Sequence, residues 1–168
     1  MCYDNVTTME KRYGATERND GLMQIGRNKW ELIYGYGTDG VRGWDWRKRF
    51  PDKPTLEEIK YVIIAQINKR IDEDILSGFK WNGTSVYLST ENQFNFKAAY
   101  DMAEMSQGTT LPVTFKLGES EDGKPIYHEF TTLDDFRDFY TKAMIHITNT
   151  LKAGWEEKDN VDWSVFTI

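Results

Sequence analysis

Apolar positions along the chain switch repeatedly between a two-residue and a helical period. In residues 29–36 the large apolar side chains alternate along the chain, at Trp30, Leu32, Tyr34 and Tyr36. A second alternating run, residues 41–50, places Trp44, Trp46 and Phe50 on one face. Residues 37–40, Gly-Thr-Asp-Gly, lie between the two runs and have the composition of a turn. The pattern therefore predicts an antiparallel hairpin that is aromatic on one face.

A helix is predicted after Pro51 and Pro54. Thr55 and Glu58 have the spacing of a capping box, in which each side chain accepts from the other residue's backbone. Aliphatic residues then recur at steps of three and four, at Leu56, Ile59, Ile63, Ile67, Ile71 and Ile75. This stripe predicts a helix of one long apolar face that ends near Gly78.

A tight hairpin is predicted around Asn82-Gly83. This dipeptide is the strongest short hairpin signal, because a type I′ turn needs positive φ at both central residues. With a two-residue turn, four apolar side chains share one face, namely Phe79, Trp81, Val86 and Leu88. The turn and the apolar face predict the same register, in which Trp81 faces Thr84 and Phe79 faces Val86.

Two further helices and one more hairpin follow. A helix is expected from Thr90, with Gln93 completing a capping box and an apolar stripe at Phe94, Ala98, Ala99, Met102 and Met105. Residues 111–117 and 126–130 alternate as strands around an acidic turn. The last helix is expected to begin near Thr131 or Thr132, with a stripe at Leu133, Phe136, Tyr140, Ala143, Met144, Ile147, Leu151 and Trp155. The apolar tail after it is expected to dock.

The order of elements predicts an α+β fold. Antiparallel hairpins and three helices follow one another as β-β-α-β-β-α-β-β-α. Residues 1–28 show no period and are expected to form an extended N-terminal arm. Residues 29–54 then form an aromatic β-hairpin, either joined to the main sheet or separate from it, and residues 55–168 form the α+β domain.

Charge and composition exclude several classes of partner. The net charge is −6, and it is asymmetric: residues 1–54 carry ten Lys/Arg and eight Asp/Glu, whereas residues 55–168 carry eleven and nineteen. No nucleic-acid partner is expected, since phosphate binding needs clustered cations. The short basic run at residues 47–49 indicates a solvated strand end or a contact with an acidic partner. No apolar run approaches the length of a membrane span, and no signal peptide is evident, so synthesis in a cytoplasm without classical secretion is expected.

Residues suited to catalysis are few. Cys2 is the single cysteine, which rules out an intrachain disulfide or a cysteine-based zinc site. His128 falls on the inward face of a strand, where a structural role is favoured over that of a catalytic base. His146 lies off the stripe of the last helix. No phosphate-binding, dinucleotide-binding or hydrolase motif occurs. We therefore expect no enzyme activity, no cofactor and no metal.

The aromatic hairpin contains the candidate contact residues. Exposed aromatic strand faces bind proteins or sugars, whereas buried ones pack a core. Core packing is the default interpretation, a protein contact the next and a glycan platform the third. If the face binds a partner, Trp30, Tyr34, Trp44 and Trp46 are the expected contacts.

Residues 75–163 resemble a family of known distribution and unknown function. The similarity is carried by ILSGFKWNG at 75–83, VYLSTENQFNFKAAYDMA at 86–103, LPVTFKL at 111–117 and TLDDFRDFYTKAMIHITNTLKAGW at 132–155. The family occurs in bacteriophage and prophage tail proteins, often beside tail-fibre or tail-fibre-assembly genes. The resemblance implies a non-enzymatic minor virion or tail component, or a tail-fibre assembly factor. The resemblance also implies that its partners are other phage structural proteins or a second copy of the chain, and that it is located in the virion or in the bacterial host cytoplasm.

Two functional alternatives remain open at this point. One is a glycan-binding adhesin module of a phage tail, for which aromatic side chains would line a shallow groove. The other is a phage-encoded host-modulating protein or enzyme, for which paired carboxylates would converge in a deep pocket. Residues 1–54 lie outside the resemblance, so the specific contacts are expected there.

Overall fold

The computed structural model describes residues 7–167. It divides into two compact units: the first comprises residues up to 69 together with those from 156 onward, and the second comprises residues 70–155. We expected divisions after residues 28 and 54 instead. The observed division differs because strands before residue 28 join the same sheet as residues 29–50, and because two long helices contribute residues to both units.

The first unit contains a four-stranded antiparallel sheet. Its strands lie in the order β1-β4-β3-β2, with bounds β1 Glu10–Tyr13, β2 Gly21–Gly26, β3 Lys29–Thr38 and β4 Gly43–Phe50. The predicted aromatic hairpin corresponds to β3 and β4. In the turn between these strands, the Asp39 carboxylate accepts hydrogen bonds from the backbone N–H groups of Val41 (2.9 Å) and Arg42 (2.6 Å). The four-stranded sheet that contains this hairpin is separate from two further sheets of two strands each.

The expected N-terminal arm needs correction. Residues 1–6 lie outside the described part of the chain, but β1 and β2 fall within residues 7–28 and form the two outer strands of the sheet. The four-residue run Glu10–Tyr13 is too short to show a clear period. Its order comes from pairing with β4, because the edge of β4 supplies partners for its backbone groups.

Helix α1, Leu56–Ser77, forms as predicted. The capping box is present: Glu58 Oε2 accepts from the Thr55 backbone N–H (2.7 Å), and the Thr55 hydroxyl accepts from the Glu58 N–H (3.3 Å). The predicted stripe is buried at Ile59, Ile63, Ile67 and Ile71. After the last turn, the Gly78 N–H donates to the Asp74 carbonyl (2.9 Å).

The Asn82-Gly83 hairpin is confirmed in detail. Strands β5 (Lys80–Trp81) and β6 (Thr84–Ser85) pair in the predicted register, Lys80 with Ser85 and Trp81 with Thr84. The φ angles of Asn82 and Gly83 are 48° and 79°, as a type I′ turn requires. The four predicted apolar residues, Phe79, Trp81, Val86 and Leu88, are all buried.

The remaining elements follow the predicted order. They are α2 Thr90–Met105, β7 Val113–Glu119, β8 Pro125–Phe130, α3 Leu133–Asp159 and a final 3₁₀ turn Trp163–Phe166. Ser89 caps α2 by accepting from the Asn92 N–H (3.2 Å), and the Thr132 hydroxyl accepts from the Asp135 N–H at the start of α3. The apolar tail docks through Phe166, which is buried. The α+β class is thus confirmed, with β1 and β2 added to the predicted order.

Aromatic side chains dominate the core of the second unit. Rings from the β5–β6 hairpin, α2, β8 and α3 pack together in one cluster around Phe139. The predicted stripe of α2 is wrong, because Phe96 and Ala103 face this core whereas Phe94, Met102 and Met105 are exposed. Trp155, expected on the buried stripe of α3, is also exposed.

Candidate functional site

The sheet of the first unit places the four predicted contact residues on one face. Tyr34 pairs with Trp46 across β3 and β4, and Gly37 pairs with Trp44. Trp30 lies four residues before Tyr34 on the same strand and so shares its face. A β-bulge between Tyr34 and Gly37 preserves this arrangement towards the turn.

Tyr34 is fully buried and is therefore not accessible to a partner. Its hydroxyl donates a hydrogen bond to Oε1 of Glu157 (2.8 Å), and the guanidinium of Arg18 lies 5.2 Å from its ring centroid. Burial and the Glu157 carboxylate raise the pKa of Tyr34 well above its ordinary value, so the phenol stays protonated. Among the four candidates, this residue has a structural role because the hydroxyl satisfies the carboxylate within the first unit.

Trp44 lies at the turn end of the sheet within a group of aromatic and cationic side chains. Its ring packs across Gly37, where a Cβ atom would come within 2.5 Å of the ring. Tyr13 meets Trp44 edge-on at a centroid distance of 5.9 Å. The Lys11 ammonium lies 3.5 Å from the Trp44 ring centroid, and the Arg42 guanidinium lies 4.6 Å from that of Tyr13. We call Lys11, Tyr13, Arg42 and Trp44 the aromatic–cation cluster.

The cluster is accessible and held by regular structure. The Tyr13 residue is 53% exposed, and Trp44 is half-buried. Lys11 and Tyr13 belong to β1, and the Gly14 N–H donates to the Gly43 carbonyl (2.9 Å) at the end of the strand pair. The strand pairing therefore fixes the two rings in place before any partner binds.

Trp30 and Trp46 extend the aromatic face away from the turn. Trp46 is half-buried and pairs with Lys11 of the neighbouring strand. Its ring lies beside Gly35, where a Cβ atom would be at an ordinary contact distance of 3.6 Å from Cδ1 of Trp46. Trp30 is also half-buried, with the Lys53 ammonium 5.2 Å from its ring centroid. Each of the three predicted tryptophans is thus partly buried and partly exposed.

The opposite face of the sheet holds a charge network around two buried carboxylates, those of Glu31 and Asp45. The Glu31 side chain is 5% exposed and accepts hydrogen bonds from Arg47 (3.0 Å) and Arg49 (3.0 Å), while Arg12 lies 3.6 Å away. Arg47 also donates two hydrogen bonds to Asp45, at 2.8 and 2.9 Å. Burial alone would raise the pKa of Glu31, but the hydrogen bonds from Arg49 and Arg47 hold it below its ordinary value.

This network borders a depression of about 300 Å³. Glu31 does not suit the role of a general acid near neutral pH, because that role needs a carboxyl group whose pKa is raised. Glu31 is instead ionised and neutralised by arginines, and Asp45 is matched by the fork of Arg47. The arrangement cross-links β3 and β4 electrostatically.

The second unit contains the two histidines, which are the remaining candidates for chemistry. His128 is half-buried, as predicted; its Nε2 lies 2.9 Å from Asp135 Oδ2, and its ring meets Trp81 edge-on at 4.8 Å. His146 Nε2 lies 2.8 Å from the Asp74 carbonyl oxygen. Across residues 7–167, no group of three or more His, Cys, Asp and Glu side chains converges in a geometry for a metal ion.

The sequence did not reveal all of the cluster. Lys11 and Tyr13 fall in the segment expected to be an arm, and three of the four residues of their strand are charged, so no alternation indicates a strand there. The partners of the basic run at residues 47–49 were also missed. Arg47 and Arg49 bind Glu31 of the neighbouring strand, a pairing that becomes visible only once the register is known.

Within the described residues, no helix is both long enough and apolar enough to cross a membrane.

Among known proteins, the chain is similar to one family. No curated protein matches the chain, and no solved structure does so either. The model of a family described as a domain of unknown function, DUF4376, matches residues 58–165. Because this match covers well over half of the sequence and extends from α1 to the final turn, the chain belongs to the DUF4376 family.

Proposed function

We propose that the protein is a non-enzymatic bacteriophage protein, either a minor tail component or a tail-fibre assembly factor. It acts through protein–protein contacts made by the aromatic face of its N-terminal sheet. The phage context comes from the sequence resemblance of residues 75–163. The contact role is supported by one observation above the others: the aromatic–cation cluster is accessible and held in place by paired strands.

The side chains of the cluster are those that contribute most to protein interfaces. Tyr, Trp and Arg are enriched at such interfaces. The two rings provide large contact areas with few rotatable bonds, and the guanidinium of Arg provides several hydrogen-bond donors. Here Tyr13, Trp44 and Arg42 are adjacent, and Val41 at the turn is 90% exposed. Fixed rings lose little conformational entropy on binding, which favours affinity.

The two alternative functions are less well supported. A sugar ring stacks on an open tryptophan face, but the Lys11 ammonium already lies over the Trp44 ring at 3.5 Å. Paired carboxylates would favour an enzyme, but those of Glu31 and Asp45 are matched by arginine donors. Protein contact therefore remains the function that the cluster supports best.

Quantitative mass spectrometry of purified phage particles tests the proposal. A tail component should be present in a fixed ratio to the other tail proteins. An assembly factor should be absent from particles, and deletion of its gene should leave tails without fibres. Absence from the particles combined with normal tails in the deletion strain would refute the proposal.

A Trp44→Ala variant tests whether the cluster is the contact surface. We expect it to reduce incorporation or fibre assembly at least about tenfold, since a central aromatic contact contributes roughly 2 kcal/mol or more. Trp155→Ala is the matched control, because this tryptophan is also exposed but lies outside the sheet. Equal activity of the two variants would exclude the cluster as the contact.

A further inference from the structure

Helix α2 has apolar side chains on two opposite faces, and only one of these faces packs against the core. Phe96 and Ala103 are buried in the aromatic cluster of the second unit. On the other side of the helix, Phe94 is 70% exposed, Met102 54% and Met105 82%. Ala98, between Phe94 and Met102, is exposed as well. Steps of four, four and three residues bring these side chains into one line, which we call the outer stripe of α2.

The outer stripe has the form of a helix-recognition surface. It extends over nearly the whole of a capped 16-residue helix, so its side chains keep fixed relative positions. Apolar positions at this spacing are the anchors by which one amphipathic helix packs against another. Met side chains are flexible and polarisable, and they recur on surfaces that accept apolar partners.

Charge restricts what could cover the stripe. Residues 70–155 contain eight Lys/Arg and thirteen Asp/Glu, a net charge of −5. Beside the stripe, Glu91 and Asp101 are acidic and exposed, and Lys97, the basic residue of this helix, is paired with Asp101. A second copy would bring two acidic units together, which like-charge repulsion disfavours. A basic partner would complement the surface.

We propose that the outer stripe of α2 binds a basic amphipathic helix of another protein. Apolar side chains of that helix would cover Phe94, Met102 and Met105. Its flanking Lys or Arg side chains would face Glu91 and compete with Lys97 for Asp101. This surface belongs to the second unit and is distinct from the aromatic–cation cluster. It therefore stands whether or not the cluster binds a tail protein.

Binding of synthetic helical peptides to the full chain tests the proposal. The probe has Leu at the a and d positions of each heptad and Lys at the others, and a comparison peptide replaces each Lys with Glu. Fluorescence anisotropy of the labelled peptides should show saturable binding of the Lys peptide and roughly tenfold or weaker binding of the Glu peptide. Equal binding of both peptides would overturn the choice of a basic partner.

Variants locate the binding surface. Met102→Gln combined with Met105→Gln should weaken binding of the Lys peptide roughly tenfold or more, because two apolar contacts are lost. Ile145→Gln combined with Tyr127→Gln is the matched control, since both residues are exposed apolar side chains of the same unit. Binding that is reduced equally by both pairs, or by neither, would refute the site. Thermal unfolding should be unchanged in both variants, since all four side chains are exposed.

Sedimentation equilibrium of the full chain without peptide tests the competing occupant. The proposal expects a monomer whose mass does not depend on the Met102 and Met105 substitutions. A wild-type dimer that the double substitution dissociates would assign the stripe to a second copy and overturn the proposal.

Discussion

At Gly83 the backbone has a φ of 79°, and no heavy atom beyond the glycine and its two chain neighbours lies within 4 Å of the position that a Cβ would occupy. A side chain there meets backbone strain alone. We expect Gly83→Val to lower the free energy of unfolding by about 2 kcal/mol, because a β-branched residue resists positive φ. Urea denaturation monitored by tryptophan fluorescence measures the change. Gly83→Asn should cost clearly less, since Asn tolerates this conformation. Equal stability of the Val variant and the wild type would contradict the turn assignment.

Glu31 has a pKa below its ordinary value of 4.5 because Arg49 and Arg47 donate hydrogen bonds to its buried carboxylate. The ionised carboxylate therefore stabilises the fold above that ordinary value, and this contribution is lost as the pH falls through the lowered pKa of the folded state. Glu31→Gln should remove about 2 kcal/mol near neutral pH, since the charge-assisted hydrogen bonds from Arg47 and Arg49 would lose their ionised acceptor at a buried position. The variant's stability should also depend less on pH in the acid range.

Urea denaturation across the acid range checks the effect of Glu31→Gln. Glu17→Gln provides the control, because it also removes one carboxylate of the first unit, but from an exposed position. The control should keep the acid dependence of the wild type. A parallel pH profile for Glu31→Gln would show that the network does not provide the acid-sensitive stability.

Among the elements, local signals predicted those that contain their own start and stop residues. The helix from Thr55 and the hairpin at Asn82-Gly83 formed with the expected caps and register. Elements whose order depends on distant partners were missed or misassigned. Strand β1 is defined by its pairing with β4, and α2 carries two apolar faces, so its period could not show which face packs inward. Of the candidate contacts, the sequence identified Trp44 but not Lys11 or Tyr13, which reach it through that same pairing.

Helices α1 and α3 approach closely at Ile71 and Gly154. A Cβ atom on Gly154 would lie 2.0 Å from Cδ1 and 2.6 Å from Cγ1 of Ile71, well inside contact distance. Gly154→Ala should therefore destabilise the protein by about 1 kcal/mol, since an overpacking cost of about 1–3 kcal/mol exceeds the gain in helix propensity of about 1 kcal/mol. Thermal or urea denaturation measures the difference.

A double-mutant cycle separates the two effects. In an Ile71→Ala background both clashing atoms are absent, so Gly154→Ala should instead stabilise by up to about 1 kcal/mol through helix propensity. A change of sign between the two backgrounds is expected. The same destabilisation in both backgrounds would show that the Ile71 side chain is not what limits the size of the residue at position 154.

On the scale of the whole molecule, the two candidate surfaces belong to different units and differ in charge. The aromatic–cation cluster carries Lys11 and Arg42, whereas the outer stripe of α2 lies on a unit of net charge −5. Electrostatic complementarity selects partners mainly through association rates and exclusion of like charge. The two proposed surfaces should therefore recruit different partners.

Phe139 joins the elements of the second unit at one point. Its ring centroid lies 5.2 Å from that of Trp81 on β5, 5.1 Å from Phe96 on α2 and 5.0 Å from Phe130 on β8. Phe139→Ala should cost about 3–5 kcal/mol, because the cavity would remove contacts from all three elements at once. Phe94→Ala provides the control for α2, and this exposed site should change stability by less than about 0.5 kcal/mol. Urea denaturation followed by both tryptophan fluorescence and far-UV circular dichroism measures the two variants. Similar losses at Phe139 and Phe94 would contradict the assignment of the inner and outer faces of α2.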